Sequence, residues 1–233
     1  MNTEISTDHI LLEQININND DISVRISGPI DTDCAKEVSD KLLELDKKNL
    51  PFIPLYIHSG GGNVDDLLTI MNTIDCCTTK ICTICLSCAC SAAAVIFALG
   101  STGHRIMAPN SYLMFHESSM GAEGKQMDIA ASNSHFIKID KFINRKLEKH
   151  VDLEHNFFEA RSNDFYLNAR DALRVGIASH VGLPVIKINI SLEMNLEVKS
   201  NKRHEIDDIN KKPKYMKTLS GSIDCKDNIS RLL

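Results

Sequence analysis

Twice in succession the chain passes from a short apolar stretch, through a turn of glycine or other small residues, into a run with helical spacing. Phe52 to Ile57 leads into Ser59-Gly60-Gly61-Gly62 and then to Val64, Leu67, Leu68, Met71 and Ile74. Ile81 to Leu86 leads into the small-residue turn Ser87 to Ser91 and then to the apolar run Ala92 to Leu99. A strand followed by a helix brings the next strand back in the same direction. Repeated units of this kind therefore build a parallel sheet with helices packed on it, and the expected fold class is α/β.

The flanking segments extend the same scheme. Ile22 to Ile26 alternates like a strand, and Gly28 and Pro29 turn the chain. Asp31 or Thr32 caps a helix whose apolar positions Ala35, Val38, Leu42 and Leu45 are separated by 3, 4 and 3 residues. Strands are expected at Arg105 to Ala108 and at Tyr112 to His116, parted by Pro109-Asn110, with a loop containing Gly121 and Gly124 after them. Ile129, Phe136, Ile139, Ile143 and Leu147, at separations of 7, 3, 4 and 4, trace one face of a long helix that ends near His150 and can project from the body. Asp164 lies in a polar connection before Tyr166. A short helix around Ala169 to Val175 and a last strand near Ile177 to Val181 complete the set.

A chain of 233 residues can bury one sizeable core. Residues 1–20, rich in Asn and Asp, read as an N-terminal arm, and 21–190 as the folded domain. Residues 191–233 read as a polar tail; from Lys199 on it has too few apolar groups to offset the entropy of ordering, so disorder is expected. The net charge of -5 supplies no basic surplus for nucleic acid or an anionic membrane. The longest apolar run, Ala92 to Leu99, falls far short of the roughly 20 residues that cross a bilayer. The N-terminus lacks the basic start and apolar stretch of a secretory signal, and a cytoplasmic location follows as the expectation. Four of the eight cysteines, Cys82, Cys85, Cys88 and Cys90, crowd one segment and raise the question of a metal site. Along a strand, alternate side chains point to opposite faces and do not all converge on one ion, so these cysteines are read as small buried apolar residues and no metal is expected.

The turns carry the candidate chemistry. Ser91 stands where a strand hands over to a helix, a setting that exposes a hydroxyl beside the unpaired N–H groups and partial positive charge of a helix start. Serine at such a place is also an ordinary cap. Gly60, Gly61 and Gly62 permit backbone conformations closed to other residues and can turn a backbone donor toward a reacting carbonyl, though they also suit a plain tight turn. They lack the spacing and terminal Lys of a phosphate-binding loop. His116, at the end of a strand, has the chemistry of a general base near neutral pH. A carboxylate would orient it, but residue type alone does not separate Asp164 from Asp152, Glu154 or Glu159.

From about Asp21 to Val185 the chain resembles the ClpP peptidase family, of the ClpP/crotonase-like superfamily. Leu55-Tyr56-Ile57-His58-Ser59-Gly60-Gly61-Gly62-Asn63-Val64 is similar to the family's oxyanion strand and turn, and Thr83 to Leu86 with Ala89-Cys90-Ser91-Ala92 to its nucleophile segment. Pro109 to His116 resembles its histidine strand, and Asp164 to Ala169, with Ala172 and Gly176, its aspartate segment. The resemblance implies repeated β-β-α units with a projecting handle helix, a Ser91–His116–Asp164 triad, and an oxyanion hole formed by the backbone N–H groups of Gly62 and Ala92. It further implies a serine endopeptidase with no cofactor of its own, acting on unfolded polypeptides. Such chains assemble into stacked, seven-membered rings fed by an AAA+ unfoldase that uses ATP. The glycine-rich segment at Gly121 to Gly124 is similar to the family's substrate groove.

Gly60 stands for the family's usual Pro, Cys90 and Ala92 for Ala and Met, and Glu117-Ser118 for Gln-Pro; the arm lacks the family's axial-loop sequence. Two rivals are a catalytically silent subunit of a mixed ring and a crotonase-like acyl-CoA enzyme, which also holds a carbonyl between two backbone N–H groups.

Overall fold

The first strand, β1 (Val24–Ser27), buries alternate residues and pairs in parallel with β2 (Ile53–Ser59). Between them runs α1 (Thr32–Asp46), started by Asp31, whose side chain accepts from the Cys34 amide at 3.0 Å. All four expected apolar positions, Ala35, Val38, Leu42 and Leu45, are buried. A second helix, α2 (Val64–Cys76), is capped by Asn63 and leads to β3 (Ile81–Cys90); α3 (Ala92–Ala98) leads from there to β4 (Arg105–Met107). The computed structural model describes residues 21–118, 124–158 and 164–184. The arm at 1–20, Gly121, Glu159, the last residues of the expected domain and the tail at 191–233 lie outside them.

Each unit moves the chain one place along the sheet, giving the order β1-β2-β3-β4-β7, where β7 is His180–Val181. Advancing in one direction with one hand lays α1 against α2 and α2 against α3. The central residues Ile81 to Cys85 are buried, as expected of a strand covered on both sides in a parallel sheet. The architecture is the α/β class expected.

Two features depart from the sequence reading, and both shape the site. The turn expected over Ser87 to Ser91 is strand up to Cys90, and only Ser91 turns. Leu86, Ser87 and Cys88 are exposed or half-buried, so the apolar pattern breaks there although pairing resumes. From Ile57 to Ser59 β2 advances two residues while its partners on β3, Cys85 and Ala89, lie four apart. On the other side, β3 pairs first with β4 and then with β5 (Tyr112–Phe115). Tyr112 lies five positions beyond Met107, whereas their partners Cys88 and Cys85 lie three apart, and the surplus is the Pro109-Asn110 turn. The second feature is β6 (Phe165–Asn168), expected as a connection. It pairs antiparallel with β5 and stacks Phe165 on Phe115.

The long helix α4 spans Gln126–Val151. None of residues 126–142 is buried; Ile143, Leu147, Glu148 and Val151 near its C-terminus are. It therefore projects, as expected. A short α5 (Ala169–Arg174) completes the elements.

One buried cation ties several ends together. Arg105 is only 5% exposed, and its guanidinium donates to three carbonyls: Gly100 at 3.0 Å, Gly176 at 3.1 Å and Ile177 at 2.7 Å. The first two lie just past the C-termini of α3 and α5, where helix dipoles leave negative potential that favours a cation. Gly100 O is also 3.0 Å from His150 Nε2 on α4. Burial lowers the Arg105 pKa from its ordinary value, and the fork of donors is met by these three carbonyls. Arg105→Met should lower unfolding free energy by roughly 2–4 kcal/mol in urea denaturation, because buried carbonyls lose a charged donor. Arg105→Lys should recover only part of this, since an ammonium lacks the planar fork.

Candidate active site

Ser91 holds φ 55° and ψ -126°, a region that non-glycine residues rarely adopt and that costs on the order of 1–3 kcal/mol. The conformation is held from both sides. Its N–H donates to Met114 O on β5 at 2.8 Å, and its carbonyl accepts from Ala94 at 2.9 Å and Val95 at 3.2 Å in the first turn of α3. No side-chain capping bond is made, so the hydroxyl is not spent on the helix as the cap reading would have it. Instead Ser91 Oγ lies 2.7 Å from His116 Nε2. His116 follows directly on β5, whose register sets Met114 beside Cys90.

The glycine turn meets the serine turn edge to edge. Gly61 has φ +100°, and a Cβ on it would stand 2.6 Å from Ser91 Cβ and 2.8 Å from Cys90 O. Next to it, Ile30 donates to Gly61 O at 2.9 Å and accepts from the Asn63 amide at 2.8 Å. In this parallel bridge the N–H of Gly62 itself points away from Ile30, toward the side on which β3 lies. A side chain on Gly62 would collide with the Ile30 carbonyl, so glycine is needed here as well. The amide of Ala92, at the first position of α3, has no partner within its helix.

The third expected member stands farther off. Asp164 Oδ1 is 3.8 Å from His116 Nδ1, beyond hydrogen-bond length, and its side chain is 61% exposed against 24% for His116. Asp152 terminates α4 in a left-handed conformation. Among the described carboxylates, only Asp164 is paired with the His116 ring.

A cavity of about 330 Å³ opens beside the pair. Leu67, Val95, Phe115, Leu147 and Phe158 supply apolar lining; Ser91, His116, Glu117, Asp140 and Lys141 supply polar lining. The part played by α4 in this wall was not read from sequence. Its signal was present in Ile143 and Leu147, but helical spacing says which face is apolar and not what that face meets.

The cysteine segment contributes packing. Burial pushes the Cys82 and Cys85 thiols up to about 11, which keeps them protonated near neutral pH. Among the described residues no group of three metal-ligating side chains is gathered, and no helix is long and apolar enough to cross a membrane.

The mainly parallel α/β sheet thus brings a hydroxyl and an imidazole together where β3 and β5 end. The sequence pattern of the family described as Clp protease matches residues 10–184. The ATP-dependent Clp protease proteolytic subunit of Carsonella ruddii (strain PV) is 31% identical over 159 residues, covering 68% of this chain and 82% of that protein. The chain belongs to the Clp protease family, a family of peptidases.

Gly61→Ala should destabilise the protein by roughly 1–3 kcal/mol in denaturant titration, since a methyl group would be forced against the serine turn at a positive φ.

Proposed function

We propose that the chain is a serine endopeptidase that hydrolyses peptide bonds of unfolded proteins. The observation that carries this reading is the 2.7 Å separation of Ser91 Oγ and His116 Nε2 at a strained turn packed against the glycine loop. Ser91 Oγ attacks the scissile carbonyl carbon while His116 Nε2 takes its proton. The oxyanion is received by the backbone N–H groups of Gly62 and Ala92. His116 then protonates the leaving amine, and water releases the acyl group by the reverse sequence of proton transfers. Asp164 steadies the imidazolium from its Nδ1 side. No step calls for a cofactor in this chain.

The chain works within stacked, seven-membered rings in the cytoplasm, which enclose the serines so that only unfolded segments reach them. Met127, Ile129, Ile137 and Phe142 of α4 are large apolar side chains left exposed in the single chain, and packing between copies would cover them. An AAA+ unfoldase partner spends ATP to deliver substrate.

Ser91→Ala should reduce cleavage of a fluorogenic peptide by about 10³-fold or more, with the native mass of the assembly unchanged. A fluorophosphonate should label Ser91 in the parent protein. Equal turnover by the alanine variant would refute the assignment, and an unlabelled Ser91 would favour an acyl-CoA enzyme or a silent subunit. Asp164→Asn should cost about 10- to 100-fold in kcat, less than the ~10⁴ lost when a buried, tightly bonded triad aspartate is replaced, because this carboxylate is exposed and its pairing is long.

A further inference from the structure

Beyond Phe115, the last residue of β5 paired with β6, the chain leaves the sheet carrying His116. Two residues later it is caught by α4. The Ser118 hydroxyl donates to Asp140 Oδ1 at 2.5 Å, and the Ser118 backbone N–H donates to Oδ2 of the same carboxylate at 3.3 Å. One residue thus engages both carboxylate oxygens, the hydroxyl more closely than the amide. The pairing needs a residue with an amide hydrogen and a hydroxyl. Proline, the usual residue at this place in the family pattern, has neither.

Among the described residues, the other charged group paired with the imidazole holds it weakly. Its Nδ1 side faces a mostly exposed carboxylate at 3.8 Å. Its main chain is fixed by β5 on one side and by Ser118 on the other. We infer that Asp140 is a positioning residue: through Ser118 it holds the His116 segment so that Nε2 stays within reach of Ser91 Oγ, and it couples that alignment to the seating of α4. The inference rests on Ser91 and His116 being the catalytic pair. Asp140 and Lys141 also line the cavity beside that pair, so the same turn of helix meets the substrate space. Loss of the clamp frees residues 117 and 118 to move, and a shift of about 1 Å at a reacting pair costs on the order of 10²-fold in rate.

The test compares Asp140→Ala, Ser118→Ala, Ser118→Thr and the Ser118→Ala/Asp140→Ala double variant in the full-length protein. Modification of His116 by diethylpyrocarbonate, followed by peptide mass spectrometry, reads how firmly the imidazole is held whether or not the protein turns over. It should become faster in Asp140→Ala and Ser118→Ala and stay at the parent rate in Ser118→Thr, which keeps both donors. With a fluorogenic peptide, Asp140→Ala should lower kcat by about 10- to 100-fold and change KM by less than about threefold. The double variant should be no worse than Asp140→Ala alone, because both changes break one clamp. Unaltered His116 modification in Asp140→Ala and Ser118→Ala, additive losses in the double variant, or a lower melting temperature with kcat intact would overturn the inference. Failure of the parent to label at Ser91 would sink the serine-peptidase reading, while the His116 modification rates would still judge the clamp.

Discussion

Everything at the site depends on the parallel pairing of β2 with β3. That pairing places two turns of different chemistry at the same edge of the sheet, one built of glycine and one of serine. The contact is close enough that a single methyl group on Gly61 would overlap Ser91. Parallel strands with helical crossovers deliver successive strand ends to one edge, which is why open α/β sheets gather their chemistry there. Here the irregular register between Ile57 and Ser59 adds a second adjustment, since β3 runs on past the level of its early partners before it turns.

The extra length of β3 has a further use. Its first half pairs with β4 and its second half with β5, so one strand serves as spine for both the main sheet and the short β5–β6 pair. The Ser91 N–H donates to the Met114 carbonyl, and Met114 lies two residues before His116. The backbone ladder therefore brings the hydroxyl and the imidazole into range, while the chain beyond β5 that carries His116 is steadied by the Ser118–Asp140 contact. Arg105 supports this arrangement from the other end by drawing the ends of α3 and α5 to β4.

Much of the frame was legible in the amino-acid order because it follows from period and punctuation. The four buried positions of α1 and the caps at Asp31 and Asn63 are local signals, and local signals survive folding. The strand end at Cys90 was not legible, since Ser87 to Cys90 are small residues that suit a turn and pairing with β5 keeps that segment extended. β6 was missed for a similar reason: Phe165 to Asn168 becomes a strand through its partner and through Phe165 stacking on Phe115. At the site, the turns holding Ser91 and Gly60 to Gly62 stood out by residue type. Asp164 did not, because an aspartate in a polar connection looks like any other, and its exposed, distant placement leaves little for a pattern to register. Asp140 was invisible for a deeper reason: a carboxylate on a solvated helix face acquires a role only when a loop folds onto it.

The long helix makes the site conditional. Its apolar contacts with the body begin at half-buried Ile139 and continue through Ile143, Leu147 and Val151, and no residue before Ile143 is fully buried. The surface pair Lys146–Asp75 adds an anchor to α2, but an exposed ion pair holds weakly. Asp140 sits one turn before the buried part begins, at the border between the seated and the projecting halves. A partner that covered the exposed Met127 and Ile137 of the projecting half would bear on the residue that grips the histidine loop. The serine is fixed by the sheet, whereas the histidine segment is held in part by α4 through Ser118, so under the inferred clamp a shift of the helix would act on the histidine side of the 2.7 Å contact first.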